Sequence, residues 1–337
     1  MFNHCDFCEQ FSCEIETTNL IICFAHQESA LHHERYERLS LFRISSAGVL
    51  ESVKQAICSL LFTVLQNQLL ALCRSVEPFM IRRVMGEVDV KFGIRQALAK
   101  IDEAFAKRSE TIKAPKPLLV AVSKTKPVDL ILDGYSIGQR DFGENYVQEL
   151  IEKAHDAKIL EHCKDIQWHF IGHLQSNKIN KIVNLPNLYM IETVHNAKLA
   201  ENLNKAWEKV KADKPDSSKL NVLIQINTSG EDEKNGTNPA EAVNLYRFVT
   251  EKCPNLNCHG VMTIGRFGHD YSTGPNPDFI ELMKCHADIC STFEKDPEEV
   301  QVSMGMSDDF VQAIEMGSTI VRVGSSIFGA RAKKTEA

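Results

Sequence analysis

Lys124 is the residue of this sequence whose neighbours best suit it for covalent chemistry. It follows the apolar run LLVAV at residues 118–122 and Ser123, and Pro127 ends any strand three residues later. A continuous apolar run with such a boundary predicts a strand buried on both faces, as in a parallel sheet. Folds of the α/β class place reactive groups at the carboxyl ends of such strands. A partly desolvated amine there has a lowered pKa and can attack a carbonyl carbon to form an imine. The alternative is an exposed lysine that only marks the end of the strand.

A second group of candidate residues lies near the carboxyl terminus. Ser307 precedes a helical pattern, so we predict that it is a helix N-cap. Gly324, Ser325 and Ser326 offer backbone N–H groups beside two hydroxyls. Helix starts of this kind, after the last two strands of a barrel, form phosphate sites. A phosphate held there and an amine at the end of the first strand together indicate a phosphorylated aldehyde, for which pyridoxal 5′-phosphate is the leading candidate.

Four further residues fall on or beside the ends of predicted strands: Asn145, His169, Met262 and Arg322. The permanently charged guanidinium of Arg322 would keep a facing pyridine nitrogen unprotonated and so weaken the ring as an electron sink. An ion pair inside the barrel is the alternative for Arg322. Asn145 could instead cap the helix that follows it, and His169 could be a hydrogen-bonded core histidine.

Strands and helices alternate regularly from residue 118 onward. The predicted strands are residues 118–123, 140–144, 168–172, 188–194, 220–227, 259–264, 300–304 and 320–323. The predicted helices between them are residues 128–135, 146–155, 177–183, 197–210, 239–251, 278–293 and 308–315, after a first helical pattern at 88–107. Eight strands separated by helices predict an α/β fold, a single (β/α)8 TIM barrel. An open doubly wound sheet is the alternative, although no Gly-x-Gly-x-x-Gly follows the first strand.

Composition excludes several classes of function. A formal net charge of -7 gives no indication of a nucleic-acid surface. The longest apolar run, residues 57–65, is too short and too interrupted to span a bilayer. The 11 cysteines occur without a secretory signal, so we interpret them as reduced thiols of a cytoplasmic protein, with a mitochondrial pool as the alternative.

The amino-terminal quarter differs from the rest of the chain. Residues 1–84 are predicted to be a poorly ordered extension with one amphipathic helix, because Leu50, Ile57 and Val64 belong to a helical apolar pattern. Cys5 and Cys8 have no second Cys/His pair at zinc-finger spacing, so we expect no metal site. The barrel is predicted to occupy residues 85–332, and residues 333–337 a tail.

Seven runs make the chain resemble a known family. They are AVSKTKP (121–127), FGENYVQE (142–149), WHFIGHLQ (168–175), QINTSGE (225–231), GVMTIG (260–265), SMGMS (303–307) and VRVGSSIFG (321–329). In this order and with these gaps they resemble the pyridoxal phosphate homeostasis proteins, the YggS/PROSC family, also called proline synthetase co-transcribed homologues. The resemblance covers about residues 86–332.

The resemblance implies a fold-type III barrel like the alanine racemase N-terminal domain. It implies pyridoxal 5′-phosphate held as an imine on Lys124, the phosphate at Ser307, Gly324 and Ser325, and the ring beside Asn145, His169 and Arg322. Members are thought to buffer the cofactor and deliver it to apo-enzymes, with no catalytic residue, and we expect a monomer.

An amino-acid racemase of the alanine racemase type is the competing hypothesis. That reaction needs a second acid or base opposite the lysine, supplied by a tyrosine of a separate β-domain. The sequence ends at Ala337, a few residues after the last predicted strand, so we expect no such domain here. Tyr271 is the one plausible substitute. A purely structural partner protein is a third, weaker alternative.

Overall fold

The computed structural model describes residues 15–16, 19–20, 88–231, 234–266 and 268–330. In the amino-terminal quarter, a two-residue strand, Ile15–Glu16, pairs antiparallel with Asn19–Leu20. The predicted amphipathic helix, the predicted barrel start at Met85 and the tail from residue 333 lie outside the described residues. These three therefore stay predictions.

Eight parallel strands close into a barrel, which confirms the predicted (β/α)8 architecture. They are β1 (Leu118–Val122), β2 (Asp141–Glu144), β3 (Gln167–Phe170), β4 (Leu188–Val194), β5 (Leu220–Gln225), β6 (Leu256–Met262), β7 (Gln301–Ser303) and β8 (Ile320–Val323). Each strand pairs with its neighbour in the sequence, and β8 pairs with β1, where Ile320 lies opposite Leu118. Because all strands are parallel, their carboxyl ends meet at one mouth of the barrel.

The described residues form ten α-helices. They are α1 (Val90–Lys107), α2 (Val128–Ser136), α3 (Val147–Ala154), α4 (Ala157–His162), α5 (Ile179–Ile182), α6 (Ala197–Asp213), α7 (Ala242–Lys252), α8 (Pro277–Thr292), α9 (Phe310–Glu315) and α10 (Ser325–Phe328). Most begin and end within two or three residues of the predicted bounds. Helix α4 was not predicted, and it begins where the Asp156 carboxylate accepts a hydrogen bond from the Lys158 N–H.

Strand β6 begins three residues before the predicted start at His259. The predicted strand does not include residues 256–258, among which is the polar Asn257. In the structure the side chains of Asn257 and His259 lie within hydrogen-bond distance of the Asn221 amide oxygen on β5. A pairing between neighbouring strands therefore accounts for the polar groups at the start of β6.

Apolar side chains fill two layers. The larger layer lies between the strands and the surrounding helices and includes the fully buried Phe142, Trp168 and Phe170. A smaller, separate cluster contains one residue from each of five strands: Val120, Met190, Leu223, Met262 and Ile320. Because side chains of a strand alternate between its faces, this second cluster is the apolar filling of the barrel interior.

Helix α1 packs directly against the last helix, α10. A Cβ atom added to Gly93 would lie 2.8 Å from the Ile327 Cα atom and 2.9 Å from its carbonyl oxygen. Only a residue without a side chain allows the two backbones to approach so closely. Gly93 thereby sets the position of the segment that begins at Gly324.

None of the helices in the part of the chain that the structure describes combines the length and apolarity that a membrane span requires.

Candidate functional site

A cavity of about 360 Å³ opens at the carboxyl ends of β1 and β8, within the size range of small-molecule sites. Its lining residues are Val122, Lys124, Lys126, Ile171, Ile264, Met306, Ser307, Asp308, Arg322, Gly324, Ser325, Phe328 and Gly329. The structure thus brings together five of the eight residues that the sequence predicted for the site.

Lys124 is half-buried and follows the end of β1. It lies in a tight turn in which the Ser123 carbonyl accepts a hydrogen bond from the Lys126 N–H over 3.1 Å. Thr125, the third residue of that turn, has a φ of 62°. A positive φ at this position is the mark of a type II turn, which carries Lys124 to the mouth of the barrel.

Ser307 and the residues after β8 form one wall of the cavity. The Ser307 hydroxyl oxygen accepts hydrogen bonds from the backbone N–H groups of Gly324, at 3.1 Å, and Ser326, at 3.4 Å. The prediction that Ser307 caps the helix beginning at residue 308 is therefore wrong, because α9 starts at Phe310 and Asp309 holds its N-cap position. The loop after β7 folds back instead, so Ser307 caps the start of α10.

Arg322 lies on β8 with only 4% of its surface exposed, and it lines the floor of the cavity. Its guanidinium donates one hydrogen bond to the Ser303 hydroxyl over 2.6 Å and another to the Thr263 carbonyl over 2.8 Å. Burial lowers the pKa of this guanidinium, and the nearby charges of Glu192 and Asp309 oppose that shift. Two directional hydrogen bonds hold the charged plane in one orientation.

His169 lies below the cavity, inside the barrel, and is not among the lining residues. Its ring nitrogens lie 2.8 Å from the Glu192 carboxylate and 3.1 Å from the Asp141 carboxylate. Burial alone lowers the pKa of His169, but the hydrogen bonds to these two carboxylates raise it to about 9. The imidazole is thus a buried cation with both nitrogens engaged, as in the alternative of a hydrogen-bonded core histidine.

This histidine is connected to Arg322 through two residues. The Ser303 hydroxyl accepts from Arg322 and donates to the second oxygen of the Glu192 carboxylate over 2.7 Å. Burial alone raises the pKa of Glu192, but the hydrogen bond and charge of His169 outweigh it, so the net shift is downward. The charged groups along this path are Arg322, Glu192, His169 and Asp141. Cations and carboxylates alternate, so their charges balance in the barrel interior.

Asn145 and Met262 are not among the lining residues of the cavity. Asn145 follows β2, and its side-chain oxygen is buried with no hydrogen-bond partner. A buried amide oxygen in this condition can accept a hydrogen bond from a ligand. Met262 is fully buried in the apolar filling of the barrel, two residues before Ile264, which does line the cavity.

Sequence analysis missed several lining residues. Val122, Ile171 and Phe328 are apolar, and an apolar side chain carries no chemical signal that separates a cavity wall from the core. Val122 ends β1 and Ile171 directly follows β3, so their places at strand ends were the signal that could have found them. Apolar walls of this kind exclude water from a ligand ring.

Tyr271, the predicted substitute for a second acid or base, is not a lining residue of the cavity. It lies in the short 3-10 turn Tyr271–Thr273, with its ring edge-on to that of His269. Its hydroxyl oxygen is buried, and this burial raises the pKa of Tyr271.

The donor set of the cavity fits a phosphorylated aldehyde. Ser307 and Ser325 supply hydroxyls for a phosphate, and Lys124 supplies an amine. Gly324, between β8 and α10, also lines the cavity and lies close to Val122: a Cβ atom added to it would lie 3.4 Å from the Val122 Cβ atom. The cavity therefore combines a nucleophile, an anion cradle and apolar walls.

Comparison with known proteins agrees with this geometry. Residues 97–332 match the family described as alanine racemase, N-terminal domain. The chain is 51% identical over 252 residues to a Bos taurus protein named pyridoxal phosphate homeostasis protein, a match that covers 74% of this chain and 91% of the bovine protein.

Two solved structures are similar as well. The crystal structure of an unknown protein from Bifidobacterium adolescentis has a TM-score of 0.60 and 31% identity, covering 71% of this chain and 94% of that one. PipY from Synechococcus elongatus, solved with PLP bound, has a TM-score of 0.55 and 28% identity, covering 68% of this chain and all of PipY, 100%.

Proposed function

The chain belongs to the family of pyridoxal phosphate homeostasis proteins, built on an alanine racemase N-terminal domain, and we propose that it binds pyridoxal 5′-phosphate and delivers it within the cell. One observation carries this proposal: a single cavity contains both the Lys124 amine and the cradle of Ser307, Gly324 and Ser325. The bovine relative's name and the PLP-bound PipY structure support the same ligand.

Each residue of the site has a distinct role in this proposal. When bound, the cofactor supplies an electrophilic aldehyde carbon to which an amine can attach reversibly. The Lys124 amine is the attaching group, and the hydroxyls of Ser307 and Ser325 donate to the phosphate. Arg322 would face the ring nitrogen with its guanidinium, and Asn145 would offer its unpaired amide oxygen to the ring. Met262 supports the floor.

His169 acts on the ring from a distance. It contacts Glu192, whose other oxygen holds Ser303, and Ser303 in turn orients Arg322. We therefore assign His169 to positioning of the guanidinium rather than to direct contact with the cofactor.

The lining residues favour a carrier over a racemase. The described residues that line the cavity include no tyrosine, histidine or cysteine; besides Lys124, their acid or base side chains are Lys126, whose ammonium donates to the Ala330 carbonyl, and Asp308, which follows Ser307 of the cradle. Proton transfer on both faces of a substrate carbon needs a second acid or base opposite the lysine. We propose that the protein holds the cofactor and carries out no amino-acid chemistry of its own.

The test is the covalent attachment itself. Purified protein is incubated with pyridoxal 5′-phosphate, reduced with borohydride and digested with a protease, and the peptide masses are measured by mass spectrometry. The pyridoxyl mass is expected on the Lys124 peptide, and Lys124→Ala is expected to lose both this mass and the visible absorbance. Lys126→Ala is the matched control, because Lys126 lines the same cavity and its ammonium donates to the Ala330 carbonyl. An adduct on another lysine in Lys124→Ala would show that the attachment site is wrong.

Delivery is tested by mixing the loaded protein with the apo-form of a pyridoxal phosphate enzyme. Reactivation should outpace the release of cofactor from the loaded protein alone.

We further propose a monomer, with residues 85–332 sufficient for binding, that acts in the cytoplasm.

A further inference from the structure

Lys153 is a buried lysine outside the cavity. It lies on α3 with 5% of its surface exposed. Its ammonium donates to three acceptors: the Ser123 carbonyl at 2.8 Å, the Glu144 carboxylate at 2.7 Å and the Glu149 carboxylate at 2.7 Å. All three of its hydrogens are thus used, as a buried ammonium requires. We call these four residues the Lys153 cluster.

The cluster holds the two neighbours of Lys124 in the chain. On the amino-terminal side of Lys124, the Ser123 carbonyl accepts a hydrogen bond from Lys153, and the Ser123 hydroxyl donates to the Glu144 carboxylate over 2.6 Å. On the carboxyl-terminal side, the Thr125 N–H donates to the Glu149 carboxylate over 2.5 Å. Both sides of Lys124 are therefore attached to the Lys153 cluster, in which Lys153 and Glu144 are buried and Glu149 is partly buried.

The turn that these contacts hold is one that its sequence disfavours. Thr125 has a φ of 62°, a conformation that glycine or asparagine adopts readily and a β-branched residue does not. Such backbone conformations persist where surrounding contacts impose them, and they concentrate at functional sites. Here the imposing contacts come from Lys153 at one end of the turn and Glu149 at the other.

The charges of the cluster depend on Lys153 as well. Glu144 is fully buried, and its second carboxylate oxygen has no hydrogen-bond partner. Burial raises the pKa of Glu144, and the charge of Lys153 opposes that rise. Loss of the ammonium would leave two carboxylates facing each other beside the turn.

We propose that Lys153 is a positioning residue for Lys124: together with Glu149 it holds the turn at residues 123–126 in the conformation that directs the Lys124 amine into the cavity. This inference rests on the proposed function, because it assigns Lys153 a part in the attachment of pyridoxal 5′-phosphate without contact with it.

The experiment measures how fast Lys124 reacts in two assays. In the first, the protein freed of cofactor is mixed with pyridoxal 5′-phosphate, and the absorbance change is followed. In the second, the cofactor-free protein is treated with acetic anhydride, and acetylation of Lys124 is compared with that of Lys126 by peptide mass. Lys153→Met is expected to slow both reactions of Lys124 about tenfold. Without Lys153, the strain of the positive φ at Thr125 would lower the fraction of molecules with the native turn by about this factor.

Thr125→Gly provides the rescue. Glycine adopts a positive φ without strain, so adding Thr125→Gly to Lys153→Met should return most of the lost rate. Lys158→Met is the matched control, because Lys158 is an exposed lysine paired with Asp129, and its removal should leave both rates unchanged.

The possible outcomes are distinct. If wild-type protein forms no adduct at Lys124, the proposed function itself fails. If wild type reacts and Lys153→Met reacts equally fast, or if Thr125→Gly does not restore the rate, the positioning role is overturned. Should Lys153→Met not fold, Glu149→Ala keeps the hydrogen bonds of Lys153 to Glu144 and Ser123 and removes the acceptor that Thr125 shares with Lys153. It is expected to react more slowly, with the same rescue, and a wild-type rate would overturn the proposal.

Discussion

The hydroxyl oxygen of Ser307 accepts a hydrogen bond from the backbone N–H of Gly324 over 3.1 Å, and this bond joins the loop after β7 to the start of α10. Because the oxygen is the acceptor, the hydroxyl hydrogen remains to be donated into the cavity that both residues line. One hydroxyl therefore joins the two segments and keeps its hydrogen for a further acceptor.

Ser307→Ala and Ser325→Ala should each weaken the binding of pyridoxal 5′-phosphate about ten- to a hundredfold, the value of one charge-assisted hydrogen bond. Ser307→Ala is expected to cost more, because it also removes the acceptor of two backbone N–H groups. Equilibrium titration of the absorbance measures the effect. Ser326→Ala, one residue outside the cavity lining, is the control, and binding of unphosphorylated pyridoxal should hardly change. Equal losses for both ligands would rule out a phosphate contact.

Gly93→Ala should destabilise the protein, although the same change in most helices stabilises by about 1 kcal/mol. The new methyl group would lie 2.8 Å from the Ile327 Cα atom. A backbone atom cannot move away as easily as the end of a flexible side chain, so the clash would remain. A net loss of about 1–2 kcal/mol in the free energy of unfolding is expected from urea denaturation. Gln96→Ala, at an exposed position of α1, should be nearly neutral. A stabilised Gly93→Ala would show that α1 and α10 do not pack as described.

Stability should fall as the pH rises from about 6.5 to about 9. The folded pKa of His169 is raised from 6.5 to about 9 by Asp141 and Glu192, which outweigh burial. Between these values the folded state binds more protons than the unfolded state, so unfolding becomes easier with rising pH, by at most about 1.4 kcal/mol per unit. The contribution is complete below the unfolded pKa. Urea midpoints at several pH values measure the slope.

The control for this pH dependence is a pair of histidine variants. His169→Gln should lose the part of the slope that belongs to the buried imidazole, whereas His162→Gln, at an exposed position of α4, should keep it. The same slope in wild type and His169→Gln would mean that His169 does not titrate as described.

The loaded protein should not exchange the α-proton of free amino acids. No tyrosine or histidine lines the described part of the cavity, and the charged guanidinium of Arg322 disfavours a protonated ring nitrogen. Incubation with L-alanine in deuterated water, followed by NMR, measures the exchange. A rate of about 1 per second or faster, typical of enzymes, would favour the racemase hypothesis and direct attention to Tyr271.

Several features were determined by local sequence alone. The run at 118–122 is apolar throughout and is followed by a proline, Pro127, which predicted a buried strand with Lys124 after its carboxyl end; the structure confirms the strand, with Leu118 exposed and the other four residues buried. The regular alternation of such runs with helical patterns predicted a closed barrel. The glycine and hydroxyl residues after β8 predicted a phosphate site, which stays a prediction, and Gly324 and Ser325 do line the cavity.

Tertiary structure decided which way the polar side chains point. His169 ends in the barrel interior because its partners Glu192 and Asp141 lie 23 and 28 positions away on neighbouring strands. Glu192 meets Ser303 across 111 positions of the sequence. Ser307 caps α10 rather than the helix next to it because the loop after β7 folds back onto the end of β8. A local pattern reports which residues are apolar, but the partner of a buried charge depends on strand register and barrel closure, which bring together residues far apart in the chain.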